Sequence, residues 1–366
     1  MGTDRAETCV PPKNPFLALW GVSAFLNLLR FLLRRLAFAV FVLFCVLTLT
    51  FVLSHLIPGD VIQAWLGKEA ALYPNVAKAY AVRYHLTDPV YVQYIYYITG
   101  MLQGNLGISP SEGFIPVSSV IESTLPLTLQ IVLLAFVMCV VLGVGLGILA
   151  ARYHNTPADA AIRVFYLAGY SSPPYFIGIA ILVVASLYLR ILPTGGEYDA
   201  VLVSPSTSIT GFPIFDALVQ GNFSFAENAS IHLILPAMTL ALVTFGVITR
   251  VARSSLLDVM QADYIRTARA KGLDEGSVFY RHGVPNAAIS LITISSLVMT
   301  FLLTGSVFVE FLFSYPGMGY YAFKALQGSD YPGIMATVFV FAAIIIVTNL
   351  VADILYAYAD PEIRLG

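Results

Sequence analysis

The sequence predicts an all-α protein that crosses a lipid bilayer six times. Three observations predict it. First, 58% of the 366 residues are apolar, only 11% are charged, and the mean hydropathy is +0.82. A soluble domain carries about a quarter charged residues, so this chain cannot cover a water-facing surface, and soluble, disordered and nucleic-acid-binding readings are excluded. Second, six windows free of Asp, Glu, Lys and Arg are each 22 to 28 residues long, and a helix needs about 20 apolar residues to cross hydrocarbon. Third, the basic residues are distributed unevenly between the segments that join those windows.

The windows are 36–57, 125–151, 164–189, 228–249, 282–309 and 331–352. Residues 1–30 precede them as an N-terminal extension. Its apolar stretch 16–29 is too short to span and is followed by arginines instead of a small-residue cleavage site, so it reads as an interfacial helix rather than a signal peptide. The long segment 58–124 holds apolar residues at helical spacing over 76–86, then the Tyr-rich run 89–98, and reads as one or two short surface helices before a Gly-rich turn at 100–110. The segment 190–226, rich in Pro, Gly, Ser and Thr, reads as an ordered cap. Pro173-Pro174 and Pro236 are expected to interrupt the third and fourth spans. Gly143-Val144-Gly145-Leu146-Gly147 lies inside a span and reads as close helix packing, not a dinucleotide loop. Cys9, Cys45 and Cys139 are too scattered for a metal cluster or disulfide framework.

With the N-terminus in the cytoplasm, six spans return the C-terminus to the same side, and 14 of the 19 basic residues fall on that side. The other side keeps Lys68, Lys78, Arg83, Arg190 and Lys324 and a net charge of −6 against +4 inside. This is the positive-inside orientation.

Six of the inner basic residues belong to the segment 250–281. Within it, Asp263-Tyr264-Ile265-Arg266-Thr267-Ala268-Arg269-Ala270-Lys271-Gly272 is made of good helix formers ending on a glycine, a natural C′ stop. A second short helix is expected over 277–281, before Pro285. Such a helix–Gly–helix element can dock in a partner's groove.

That segment resembles the cytoplasmic "EAA" loop of membrane subunits of binding-protein-dependent ABC importers. Arg266-Thr267-Ala268 takes the Glu-Ala-Ala position, Gly272 the glycine and Val284-Pro285 the Leu-Pro. Arg266 in place of Glu and His282 in place of Ile depart from the general pattern but resemble the dipeptide/oligopeptide/nickel permease branch. Further resemblances are Phe31-Leu32-Leu33-Arg34-Arg35-Leu36, Ile57-Pro58-Gly59-Asp60, Gly104-Asn105-Leu106-Gly107-Ile108-Ser109, Arg253-Ser254-Ser255-Leu256-Leu257, Phe313-Ser314-Tyr315-Pro316-Gly317-Met318-Gly319, Asp330-Tyr331-Pro332 and residues 349–356. They cover about 31–366, which is thereby expected to be one transmembrane domain.

The resemblance implies a six-helix type I importer permease working by alternating access. Its partners would be a second homologous permease subunit, two ABC ATPase subunits and an extracytoplasmic solute-binding protein, all within or against the bilayer. ATP and Mg would belong to the ATPases. This chain has no Walker A pattern, and no cofactor, metal or nucleic acid is expected on it. Asp263, Tyr264, Arg266, Thr267, Ala268, Lys271 and Gly272 would couple it to the ATPases. Glu310, Asp353 and Asn349 are candidates for the solute pathway, because polar groups within a membrane are functional by default; a capping or solvated role is the alternative for Glu310 and Asp353, and helix-to-helix hydrogen bonding for Asn349. Di- or oligopeptides are the expected cargo, with oligosaccharides or nickel as alternatives. An intramembrane enzyme lacks its nucleophile or metal motif, and a passive channel lacks a charged ring and leaves the coupling motif without purpose.

Overall fold

A computed structural model of the chain describes residues 22–56, 74–83, 85–199, 201–202 and 208–359. The first span lies in α1 (Val22–Leu56). Of the expected interfacial helix, 16–21 lie outside the described residues, and 22–29 are the opening turns of α1 itself. Two short helices follow, α2 (Pro74–Arg83) and α3 (Val90–Leu102). The Gly-rich turn leads into a small antiparallel hairpin, β1 (Ile108–Ser109) and β2 (Ile115–Pro116). The second span is α4 (Val117–Arg152).

The third span is not one straight helix. α5 (Pro157–Ser171) and α6 (Pro174–Leu182), the latter continued by a π-helical turn to Tyr188, meet at 104°. Pro173 and Pro174 both lack an N–H, and each drives the residue before it out of the helical region; Ser172 and Pro173 are extended at ψ 139° and 137°. Pro236 behaves differently from expectation. It lies buried within α8 (Phe223–Val259), a continuous helix; Pro126, partly buried, likewise lies within the continuous α4. A single proline removes one ladder bond, which packing on all sides tolerates; two in succession after an extended serine do not leave a helix to continue.

The remaining elements are α7 (Pro213–Val219) in the 190–226 segment, α9 (Asp263–Ala270), α10 (Glu275–Ser277), α11 (Val284–Leu312), α12 (Met318–Gly328) and α13 (Tyr331–Ala359). The second short helix expected at 277–281 is instead a π-helical turn, Val278–Gly283, that joins α10 to α11 without a break.

α8 is the axis of the bundle. In its most apolar stretch 61% of residues are buried, against 11% for α1 and 17% for α13. It packs on α4, α5, α6, α7 and α11. Gly143 and Gly147 allow the approach of α4: a Cβ on Gly143 would meet Ile248 at 2.7 Å, and one on Gly147 would meet Ala252 at 2.4 Å. Close helix packing is therefore their role. Ile131, Ala135 and Cys139 of α4 join Leu235, Phe245 and Ile248 of α8 and Leu302 of α11 in one core. A second core gathers Leu47 and Phe51 of α1, Met101 of α3, Val117 of α4, Met318 and Tyr321 of α12 and Met335 of α13.

Candidate functional site: the loop between α8 and α11

Residues 260–283 build a small helical module between two long spans. α9 is amphipathic. Ile265 is fully buried and Ala268 nearly so, and both pack on Val278 of the π-helical turn, with Met260 and Ala262 beside them. The opposite face is open: Asp263, Tyr264, Arg266, Thr267 and Lys271 are exposed. The helix ends as its sequence requires. Gly272 has φ +81°, its N–H donates to Arg269 O at 2.9 Å, and the Leu273 N–H donates to Ala268 O at 3.4 Å. These two bonds are a Schellman closure, which needs a left-handed residue at the position glycine holds. Asp274 then caps α10 by accepting the Ser277 N–H at 2.8 Å.

The module's charges pair among themselves. Arg266 meets Asp263 at 3.2 Å and Arg269 meets Glu275 at 2.8 Å, all four exposed. Thr267 Oγ1 donates to Asp263 O. Of the seven coupling candidates, then, Ala268 is an anchor, Gly272 shapes the turn, and the other five face outward. The module is fixed to the bundle through Leu256, Phe279 and Ala287, which share a core with Ala151 of α4. Arg152 also lies over the rings of Phe279 and Tyr280, at 5.5 and 5.9 Å.

The three pathway candidates are widely separated. Glu310, near the end of α11, is fully buried. Its Oε2 accepts the N–H groups of Gly319 at 2.7 Å and Tyr320 at 3.0 Å, while Thr128 Oγ1 of α4 accepts that of Met318 at 2.7 Å. The first three N–H groups of α12 are thereby satisfied by side chains, where a helix start leaves them orphaned. A Cβ on Gly317 would meet the Glu310 carboxylate at 2.4 Å, and one on Gly319 the Val307 Cα at 2.5 Å. The glycines of Phe313-Ser314-Tyr315-Pro316-Gly317-Met318-Gly319 thus make room for the carboxylate. Asp353 pairs with Arg35 at 3.1 Å, tying the end of α13 to α1. Asn349 is exposed on α13.

Sequence reasoning missed the most deeply paired ion cluster of the described residues. Asp159, fully buried in the first turn of α5, accepts from Arg253 Nε at 2.8 Å and Nη2 at 2.9 Å. It also accepts the Asn155 N–H at 3.1 Å, with Arg163 at 3.6 Å. The signal for Asp159 was its place three residues after Thr156, where an acid reaches back to the helix start; no local signal names Arg253 as the partner, 94 residues away. Asp330 was also unassigned. It is fully buried and accepts from the hydroxyls of Ser109 and Ser111 and from the Gly333 N–H, pinning the start of α13 to the β1 hairpin.

The segment 190–226 holds two carboxylates with opposite surroundings. Burial raises the Asp216 carboxyl, but the N–H groups of Ile209, Thr210 and Gly211 and the Thr210 hydroxyl outweigh it and hold it below the usual range. Among the described residues Glu197 has no such donors, and burial pushes it up to about 7.

Comparison with known proteins fits this architecture. Residues 143–365 match the family described as the binding-protein-dependent transport system inner membrane component, and 28–132 match the N-terminal region of such components. The chain belongs to that family. A probable D,D-dipeptide transport system permease of Escherichia coli is 38% identical over 323 residues, covering 88% of this chain and 93% of that one. The dipeptide transport system permease of the same species is 35% identical over 338 residues, covering 92% and 99%. The oligopeptide transport system permease AppB of Bacillus subtilis is 35% identical over 338 residues, covering 91% and 99%. A solved inward-facing structure of the MetNI methionine ABC transporter is 12% identical, with a TM-score of 0.49 over 64% of this chain and 93% of its own. As an inner membrane component of a transport system, the chain is a multi-pass membrane protein; among the described residues five helices are long and apolar enough to cross a membrane, and the bent pair α5–α6, counted as one span, makes six.

Proposed function

We propose that this chain is the permease subunit of an ATP-driven importer of di- or oligopeptides, working by alternating access, and that α9 is its mechanical link to the ATPases. The observation that carries the reading is α9 itself: a short helix anchored by Ile265 and Ala268 that presents Asp263, Tyr264, Arg266, Thr267 and Lys271 to a partner. A partner's groove that moves this helix moves α8 and α11 with it, because the module shares a core with both. Alternation requires that nucleotide binding favour one bundle state through differential contacts, and an exposed face on a rigid anchor supplies them.

The partners in this reading are a second homologous permease, two ABC ATPases that hold ATP and Mg, and an extracytoplasmic solute-binding protein. Both termini and α9 lie in the cytoplasm, following the charge asymmetry of the segments. Peptides are the favoured cargo because the relatives at 35–38% identity are named for dipeptide and oligopeptide transport. Asn349, exposed on α13, is the pathway candidate we retain; Glu310 and Asp353 already have partners within the chain.

The test is Gly272→Arg in the assembled transporter. The side chain would have to adopt φ +81° and would project beside the docking face. Transport-coupled ATP hydrolysis is expected to disappear while the membrane subunits still co-purify. Full peptide uptake by this variant in vesicles would remove the assignment.

A further inference from the structure

α1 carries a basic and an apolar feature in register on one face. Arg30, Arg34, Phe38, Phe41 and Cys45 follow one another at intervals of four, four, three and four residues, which keeps them on a single helix stripe. All five are exposed: Phe38 is 62% and Phe41 60% accessible. Arg35, one step around the helix, is turned aside into its bridge with Asp353 at 3.1 Å. Among the described residues Arg30 and Arg34 have no such carboxylate. The charge-free apolar window of α1 begins at Leu36, directly after Arg30, Arg34 and Arg35, so the two guanidinium groups stand one turn apart at the edge of the apolar span.

We propose that this face of α1 binds an anionic phospholipid, its phosphodiester held between Arg30 and Arg34 and an acyl chain lying along Phe38, Phe41 and Cys45. Arginine suits a phosphate because its planar fork donates two parallel hydrogen bonds. Side chains at i and i+4 are close enough to share one group. From Arg34 to Cys45 the helix rises about 16 Å, close to half of a hydrocarbon core about 30 Å thick. The stripe therefore has the length of one lipid leaflet with the charge at the correct end. The Arg35–Asp353 bridge fixes the rotation of α1 against α13, and with it the direction in which the pair faces.

The assembled transporter tests this. In a Cys9→Ser chain with partners free of reactive thiols, Cys45 takes a bimane fluorophore, because Cys139 is buried. The complex is reconstituted in phosphatidylcholine nanodiscs doped with brominated phosphatidylglycerol or brominated phosphatidylcholine. The expected result is preferential quenching by the glycerol lipid, with the preference falling about five-fold for each arginine replaced in Arg30→Gln and Arg34→Gln. Arg30→Lys with Arg34→Lys keeps the charge without the fork and is expected to fall between the wild type and the Gln variants, which separates loss of charge from loss of fold. Equal quenching by both lipids overturns the proposal. So does the absence of quenching by either, which would mean that protein covers the face. Displacement of the lipid by inorganic phosphate would also overturn it, since the site would then take the free anion.

Discussion

The two ends of α11 use charge in opposite ways. Ahead of its N-terminal end, on α9 and α10, Arg266, Asp263, Arg269 and Glu275 are exposed and pair on the surface. At its C-terminal end, Glu310 is fully buried and accepts two backbone N–H groups from the next helix. An exposed pair is solvated in either arrangement, so the first end can change partners at little expense in stability. A buried carboxylate that caps a helix has no such alternative, because its loss leaves backbone donors unpaired in a dry environment. The first set of charges can rearrange and the second holds shape, although both look like charge flanking an apolar span.

The sharpest way to break this contrast is Glu310→Ala. The buried N–H of Gly319 and the partly buried N–H of Tyr320 lose their acceptor, and the destabilisation is expected to be about 3 kcal/mol at one to three for a buried group and less for the other. Thermal unfolding of the detergent-solubilised complex, followed by size-exclusion, would show it. Glu310→Gln keeps an acceptor oxygen and should fall well short of that loss. Equal, small effects of both changes would return Glu310 to the solvated class.

Of similar size is Asp159→Ala, which strands the Arg253 guanidinium at the junction of α5 and α8. Breaking a buried pair from one side is expected to lower stability by about 3 kcal/mol. Arg253→Met together with Asp159→Leu should be milder than the single change, since no charge is left unpaired. A double change worse than the single one would show that the pair's value is not electrostatic.

The six spans were legible because hydrocarbon imposes one rule on every stretch of backbone, and window length reads it directly. Gly272 was legible because a helix that stops on glycine has one common closure. The bend after Ser172 announced itself by two prolines, whereas Pro236 showed that one proline does not decide a break when a helix is packed on all sides. Glu310 was visible as a charge beside a span, but its role depends on Gly317, Gly319 and Thr128. Thr128 lies on another helix, and no local pattern ties it to the rest. Arg253 and Asp159 are separated by 94 residues for the same reason: helix period predicts which face is apolar, not which partner it meets.

The segment 190–226 allows a titration that separates Asp216 from Glu197. Asp216 is held below its ordinary value of 3.8, so the stability it contributes is present above that pH and is lost as pH falls through the lower folded-state value. Glu197 is raised from 4.5 to about 7. The folded form then keeps its proton longer than the unfolded form, and its contribution, full below 4.5, is lost as pH rises toward 7. Asp216→Asn should flatten the acid limb of the unfolding profile and Glu197→Gln the limb between 4.5 and 7. If either change alters the opposite limb instead, the hydrogen-bond account of Asp216 or the burial account of Glu197 fails.

The smallest expected effect is the most informative about α9. Arg269 and Glu275 meet at 2.8 Å, with side chains 39% and 63% exposed, and a pair of that kind contributes about 0.5 kcal/mol or less. Glu275→Gln should therefore leave thermal unfolding nearly unchanged. Because Arg269 lies on α9, the helix proposed to meet the ATPase, the same change would free a cation beside that proposed contact. Coupling efficiency, measured as peptide imported per ATP hydrolysed, is expected to shift while stability does not. A shift in both would mean that the pair holds α9 in place. A shift in neither would confine the docking surface to Asp263, Tyr264, Arg266, Thr267 and Lys271, on the far side of the helix from Ile265.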